Sequence, residues 1–158
     1  MTGTQTMETI ERLNELLEAE RAGVETMSHL IEVAITLEMR KLFEGIRDDE
    51  AWSCAGLASA IRRQRGRMSE TKGDFAEKVM AEPTLPDRLR MLNRGQGWVV
   101  KRLDAPLEKE LDEESEAFLR QMRAVHVRNI ERCDGLIAEL ASGARVSREA
   151  RRGAEEGR

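Results

Sequence analysis

The sequence predicts an all-α fold: a four-helix bundle of up-down-down-up order with one long crossover between helices two and three. Three observations predict it. Apolar residues recur in steps of three and four along four separate stretches, the spacing of a buried helical stripe. The gaps between the first and second stretches and between the third and fourth are short, whereas the middle gap is long. Strand and turn formers are scarce, with 3 Pro, 3 Phe, 2 Trp and no Tyr in 158 residues.

The first helix carries Ile10, Leu13, Leu17, Glu20, Val24, Met27, Ile31 and Ala34 on its inner stripe, with Thr6 or Thr9 as its expected N-cap. The second carries Phe43, Ile46, Glu50, Ser53, Leu57 and Ala60 and ends near Gly66. Residues 67–84 hold Ser69, Gly73 and Pro83 without a long stripe, so they form the crossover, with a short helix expected over 74–80. The third stripe is Leu85, Leu89, Leu92, Gln96, Val99 and Leu103, closing near Pro106. The fourth is Leu119, Arg123, His126, Ile130, Cys133 and Ile137. The bundle is expected to span 1–141, followed by a flexible C-terminal tail over the Gly/Ala/Arg/Glu-rich residues 142–158.

Composition narrows the functional classes. No run approaches the ~18 apolar residues of a membrane span, and the first residues lack the basic and apolar segments of a signal peptide. A cytoplasmic location and no membrane partner are therefore expected. The net charge of -4 gives no reason to expect nucleic acid. Arg62, Arg63, Arg65 and Arg67 read as cations opposing the dipole of a helix C-terminus, in preference to an anion-binding patch.

Each stripe is apolar except at one level. The exceptions are Glu20, Glu50 with Ser53, Gln96, and Arg123 with His126. A buried unpaired carboxylate is costly, so four interruptions call for a common explanation. Glu20 to Glu50 is 30 residues, and so is Gln96 to His126. Residues at one level of a helical hairpin lie equal distances from its turn, which puts the turns near Ile35 and Leu111. The crossover must return ~40 Å, at 1.5 Å of helix rise per residue, and eighteen extended residues reach that far. The polar residues can therefore meet at mid-bundle, in a topology of two hairpins and one long crossover.

Those residues carry a resemblance. Leu16-Leu17-Glu18-Ala19-Glu20-Arg21-Ala22-Gly23, Asp49-Glu50-Ala51-Trp52-Ser53-Cys54 and His126 resemble the ferritin-like superfamily, rubrerythrin and bacterioferritin included, over roughly residues 8–140. The stretches Leu92–Val99 and His126–Ile130 are similar to a ferritin-like branch with no assigned activity. The superfamily's two-iron pattern is Glu on helix one, Glu-x-x-His on helix two, Glu on helix three and Glu-x-x-His on helix four. Here helix two offers Glu50-x-x-Ser53, helix three Gln96, and helix four Arg123-x-x-His126. The remaining set of Glu20, Glu50 and His126 supplies two negative charges, too few to neutralise and bridge two irons. The di-iron motif is degenerate on this reading, and neither ferroxidase activity nor a cofactor is expected.

Three arrangements of the polar level follow. In the first, no metal binds and Arg123 pairs with Glu20 and Glu50, with Ser53, Gln96 and His126 filling the remaining hydrogen bonds. In the second, Glu20, Glu50 and His126 hold a single Fe, Mn or Zn ion and Arg123 points away. In the third, Met122 supplies a rival stripe and Arg123 faces solvent. The first makes the protein a non-enzymatic structural or interaction module, expected to form a homodimer and to act through an unknown protein partner. The second makes it a metal-binding protein or metal-dependent oxidoreductase. A small-molecule binder using Arg123 and Gln96 is a further option.

Gly95 and Gly97 in a helical stretch suggest a close crossing or a local break, in preference to room for a small ligand or backbone amides facing an anion. Trp52 and Trp98 are expected under the crossover or at a dimer surface, and His29 at the surface. Cys54 and Cys133 fall on opposite sides of the polar level, ~16 Å apart along the axis at 1.5 Å of rise per residue, too far for a disulfide.

Overall fold

Side-chain caps open three of the helices. Thr36 Oγ1 accepts from the Met39 amide, Thr84 Oγ1 from the Asp87 amide and Asp112 Oδ2 from the Ser115 amide. In the computed structural model, which describes residues 3–157 and not the side chains of 144–151, the chain forms α1 (Gly3–Glu32), α2 (Leu37–Arg63), α3 (Phe75–Ala81), α4 (Leu85–Leu107) and α5 (Glu113–Glu156). No strand occurs among the described residues. Thr6 and Thr9 lie inside α1 and do not cap it; the Thr9 hydroxyl donates back to the Gln5 carbonyl.

Two apolar cores hold the bundle. One joins Leu13 and Leu17 near the start of α1 to Leu57 and Ile61 near the end of α2, Leu103 near the end of α4, and Leu119 near the start of α5. The other joins Leu30, Phe43, Leu89 and Leu136 from the opposite ends of the same four helices. Chain ends that share a core fix direction: α1 and α5 run one way, α2 and α4 the other, which is the up-down-down-up order. Hairpin turns fall at 33–36 and 108–112, where the sequence places them.

The crossover leaves α2 through Arg65, whose φ of 60° is left-handed. Gly66 follows, so close to Ile10 that a Cβ would lie 2.7 Å from its Cγ2. The strand-like run after it is strapped to the outer face of α1. Asn14 accepts from the Ser69 amide at 2.7 Å and donates to the Arg67 carbonyl at 2.9 Å. Arg21 donates to the Ser69 and Thr71 carbonyls, Glu18 accepts from both hydroxyls, and Lys72 pairs with Glu25 at 2.6 Å. Two acidic residues of helix one, Glu18 and Glu25, thus serve the strap. The basic run divides: Arg62 and Arg63 end α2, and Arg63 reaches Glu114 at 2.7 Å.

One expectation needs correction on α5. Its buried stripe is Leu119, Met122, His126, Asn129, Cys133 and Leu136, so Arg123, Ile130 and Ile137 lie off it. Residues 142–156, the segment after the expected bundle, are helical and extend α5. Ala, Arg and Glu dominate that segment and favour helix strongly enough to carry it past its glycines; Arg158 lies outside the described residues.

Candidate metal centre

Between the two cores lies a layer of buried polar side chains. Glu20 (0% exposed), Glu50 (4%), Gln96 (3%) and His126 (1%) line one cavity there, and Ser53 (0%) is buried one turn past Glu50. The arrangement follows from helical repeat: Glu20 is one turn past Leu17, Glu50 one turn past Ile46, Gln96 one turn past Leu92 and His126 one turn past Met122.

Arg123 does not belong to the layer. It is half-exposed and pairs with Asp104 across the α4–α5 groove, 3.4 Å from Nε to Oδ1. The one-residue shift of the α5 stripe to Met122 turns it outward. A metal-free core neutralised by Arg123 is therefore not the arrangement present.

Glu20, Glu50 and His126 each offer one ligand atom, and these atoms all lie within 4.8 Å of one another. His126 Nδ1 sits 2.9 Å from the Met122 carbonyl, which can only accept, so Nδ1 carries the proton. Nε2 then points at the carboxylates, 2.7 Å from Glu20 Oε1 and 3.8 Å from Glu50 Oε2. The close approach to Glu20 lacks hydrogen-bond alignment: both Glu20 oxygens and His126 Nε2 have no hydrogen-bond partner, nor do Gln96 Oε1 and Nε2. Burial disfavours protonation of His126, but the Glu50 carboxylate, the Met122 carbonyl and Asp49 outweigh it and hold its pKa above the ordinary value.

These orphaned atoms fit a cation. A tetrahedral ion with N and O ligands at about 2.1 Å spaces its ligand atoms about 3.4 Å apart, and the separations of His126 Nε2 from the two carboxylates, 2.7 and 3.8 Å, bracket that value. Hydrogen-bonding the outer ring nitrogen to a carbonyl is also how metal-binding histidines are oriented.

Gly23 belongs to the site through its lack of a side chain. A Cβ there would lie 2.7 Å from Glu50 Oε2, so the glycine makes room for the carboxylate. The sequence signal was present, since Gly23 stands one turn after Glu20. Asn129, buried one turn after His126, donates to Asp49 Oδ2 at 3.1 Å; the Met122–His126–Asn129 spacing could have found it. Ser53 donates to the Asp49 carbonyl. Beside the layer a cavity of about 400 Å³ opens between α1 and α4, with Glu20, Glu50, Gln96 and His126 in its wall.

The other singled-out residues resolve simply. Gly95 is a close crossing, where a Cβ would lie 2.6 Å from Phe75 Cζ of α3, while Gly97 faces open space. Trp52 meets Phe118 with ring centroids 4.9 Å apart. Trp98 lies under Arg102 at the cavity. His29 is exposed. Cys54 and Cys133 are free; burial, helped by Glu50, pushes Cys54 to about 11, and burial with Asp134 pushes Cys133 to about 12.

Fold and site together define a ferritin-like helical bundle with a buried Glu–Glu–His group. The structure is similar to the crystal structure of "ferritin like, diiron-carboxylate proteins" from Bacillus anthracis str. Ames, with a TM-score of 0.76 and 21% identity, covering 87% of this chain and 99% of that one. A family model, the domain of unknown function DUF6306, matches residues 7–135, and the chain belongs to that family. No curated protein matches the chain.

Proposed function

We propose that this protein binds a single divalent transition metal at mid-bundle, with Glu20, Glu50 and His126 as its protein ligands. The supporting observation is the set of buried, inward-facing Glu20 and His126 atoms that no hydrogen bond satisfies. Charge points the same way. Two carboxylates and a neutral imidazole balance a divalent ion, whereas an imidazolium alone would leave one negative charge buried, a costly state. Two carboxylates and one imidazole suit Zn, Mn or Fe(II). Ser53 and Gln96 take the places of a His and a carboxylate in the two-iron pattern, and Arg123, which replaces a further Glu of that pattern, turns outward to Asp104, so the site is degenerate with respect to di-iron chemistry. A bound ion would supply a Lewis acid, or a one-electron centre if it is iron or manganese.

The test is metal content by mass spectrometry on untagged protein after loading with Zn, Mn or Fe(II) and desalting. About one equivalent is expected in the parent and in Arg123→Ala, and none in Glu50→Ala or His126→Ala. Two equivalents, or retention by both ligand variants, would overturn the reading.

A further inference from the structure

We infer that the cavity beside the polar layer binds a small neutral molecule with an apolar body and an amide-like head, and that Gln96 reads the head. This goes beyond the metal reading and stands on different atoms. Gln96 is 3% exposed, lines the cavity and has neither amide atom hydrogen-bonded. Leaving such a group unpaired is expensive, and a ligand that pairs with it recovers that loss on binding. A side-chain amide offers two N–H donors and a carbonyl acceptor, which a second amide matches by giving one hydrogen bond and taking another.

The rest of the cavity sets the body and the charge. Ala19, Leu92, Trp98 and Val99 make its walls apolar. Its volume of about 400 Å³ compares with the roughly 150 Å³ that accommodates benzene, which leaves space for on the order of ten to fifteen heavy atoms. Arg94 and Trp98 line it and are exposed, so entry is from that side. At the inner end an anionic head would meet Glu20 and Glu50, and a cationic head would have to compete for those carboxylates with His126, already 2.7 Å from Glu20, or with a bound ion. A neutral head avoids both conflicts. Gly95 contributes by letting Phe75 close over α4 beside the cavity.

The probe is hexanamide, with hexanoate and hexylammonium as charged counterparts, titrated by protein-observed NMR into chelator-treated and zinc-loaded protein. Saturable shifts at Gly23 and around Gln96 are expected with hexanamide, and weaker ones with either charged probe. Gln96→Leu should weaken hexanamide at least about tenfold, for two lost hydrogen bonds, while Ala19→Leu fills the cavity and removes binding. Both variants are first checked for a native spectrum. Absence of saturable binding, equal affinity for Gln96→Leu, or tighter binding of a charged probe would overturn the inference. Zinc content of the same samples separates the two readings: hexanamide binding without zinc upholds the pocket and sinks the metal site, and zinc binding without hexanamide binding does the reverse.

Discussion

The apolar cores and the polar layer between them are built from the same helices, one turn apart, yet they answer to opposite rules. In the cores every buried atom finds neighbours, and Leu13, Phe43, Leu57 and Leu103 are fully enclosed. In the layer, enclosure is just as complete but Glu20, Gln96 and His126 keep atoms without hydrogen bonds. Burial that stabilises in the first region costs in the second. A fold that keeps such a layer has given up stability at one level for something the apolar levels cannot do.

Substitutions can break or sharpen that contrast. The largest effect is expected in a core: Leu57→Ala should lower stability by about 2–5 kcal/mol through lost burial and a residual cavity, read from urea denaturation. The opposite sign is expected one level away. Gln96→Leu in chelator-treated protein should raise stability by about 1–3 kcal/mol, because a buried unpaired amide is replaced by an apolar group. A destabilised Gln96→Leu would mean that the amide has a partner in solution.

The rim of the core around Leu13, Leu57 and Leu119 should show a smaller effect with a pH signature. Slight burial works against the Asp112 carboxylate, but hydrogen bonding to Ser115, whose amide donates at 2.9 Å, outweighs that and, with Arg63 nearby, holds its pKa below the usual value. Asp112→Ala should cost about 1 kcal/mol at neutral pH through loss of the helix cap. Because the folded-state pKa is depressed, the advantage of the parent is present above the usual carboxylate value near 3.9 and disappears as the pH falls through the folded-state value. Denaturation midpoints of parent and variant from pH 6 to 3 check this. The smallest effect belongs to Arg123→Ala, under about 0.5 kcal/mol for an exposed pair and with metal content unchanged. A larger loss would return Arg123 to the layer.

What the sequence disclosed depended on how sharply each helix distinguishes inside from outside. Glu50 and Gln96 interrupt stripes with no rival, so their level and their facing were both legible. On α5 Met122 and Arg123 stand side by side, and a long Arg stem imitates an apolar residue at the step before His126; the stripe was placed one residue late there, and Asn129 was lost with it. On α1 the stripe ran through Val24, whereas Gly23, with no side chain to signal burial, faces Glu50. The strap of Asn14, Glu18 and Arg21 joins residues some fifty positions apart and leaves no periodic trace. The orphaned state of the Glu20 and His126 atoms is a matter of alignment, which spacing alone does not encode.

That strap also bears on how the molecule assembles. Each hairpin closes over a turn of a few residues, so α1–α2 and α4–α5 are low-contact-order units that can form early. The hydrogen bonds from α1 to residues 67–71 tie the outgoing chain to the first hairpin and need nothing from α4 or α5. The linker is therefore less a tether than a guide rail, setting the path along α1 by which the chain returns to the second hairpin.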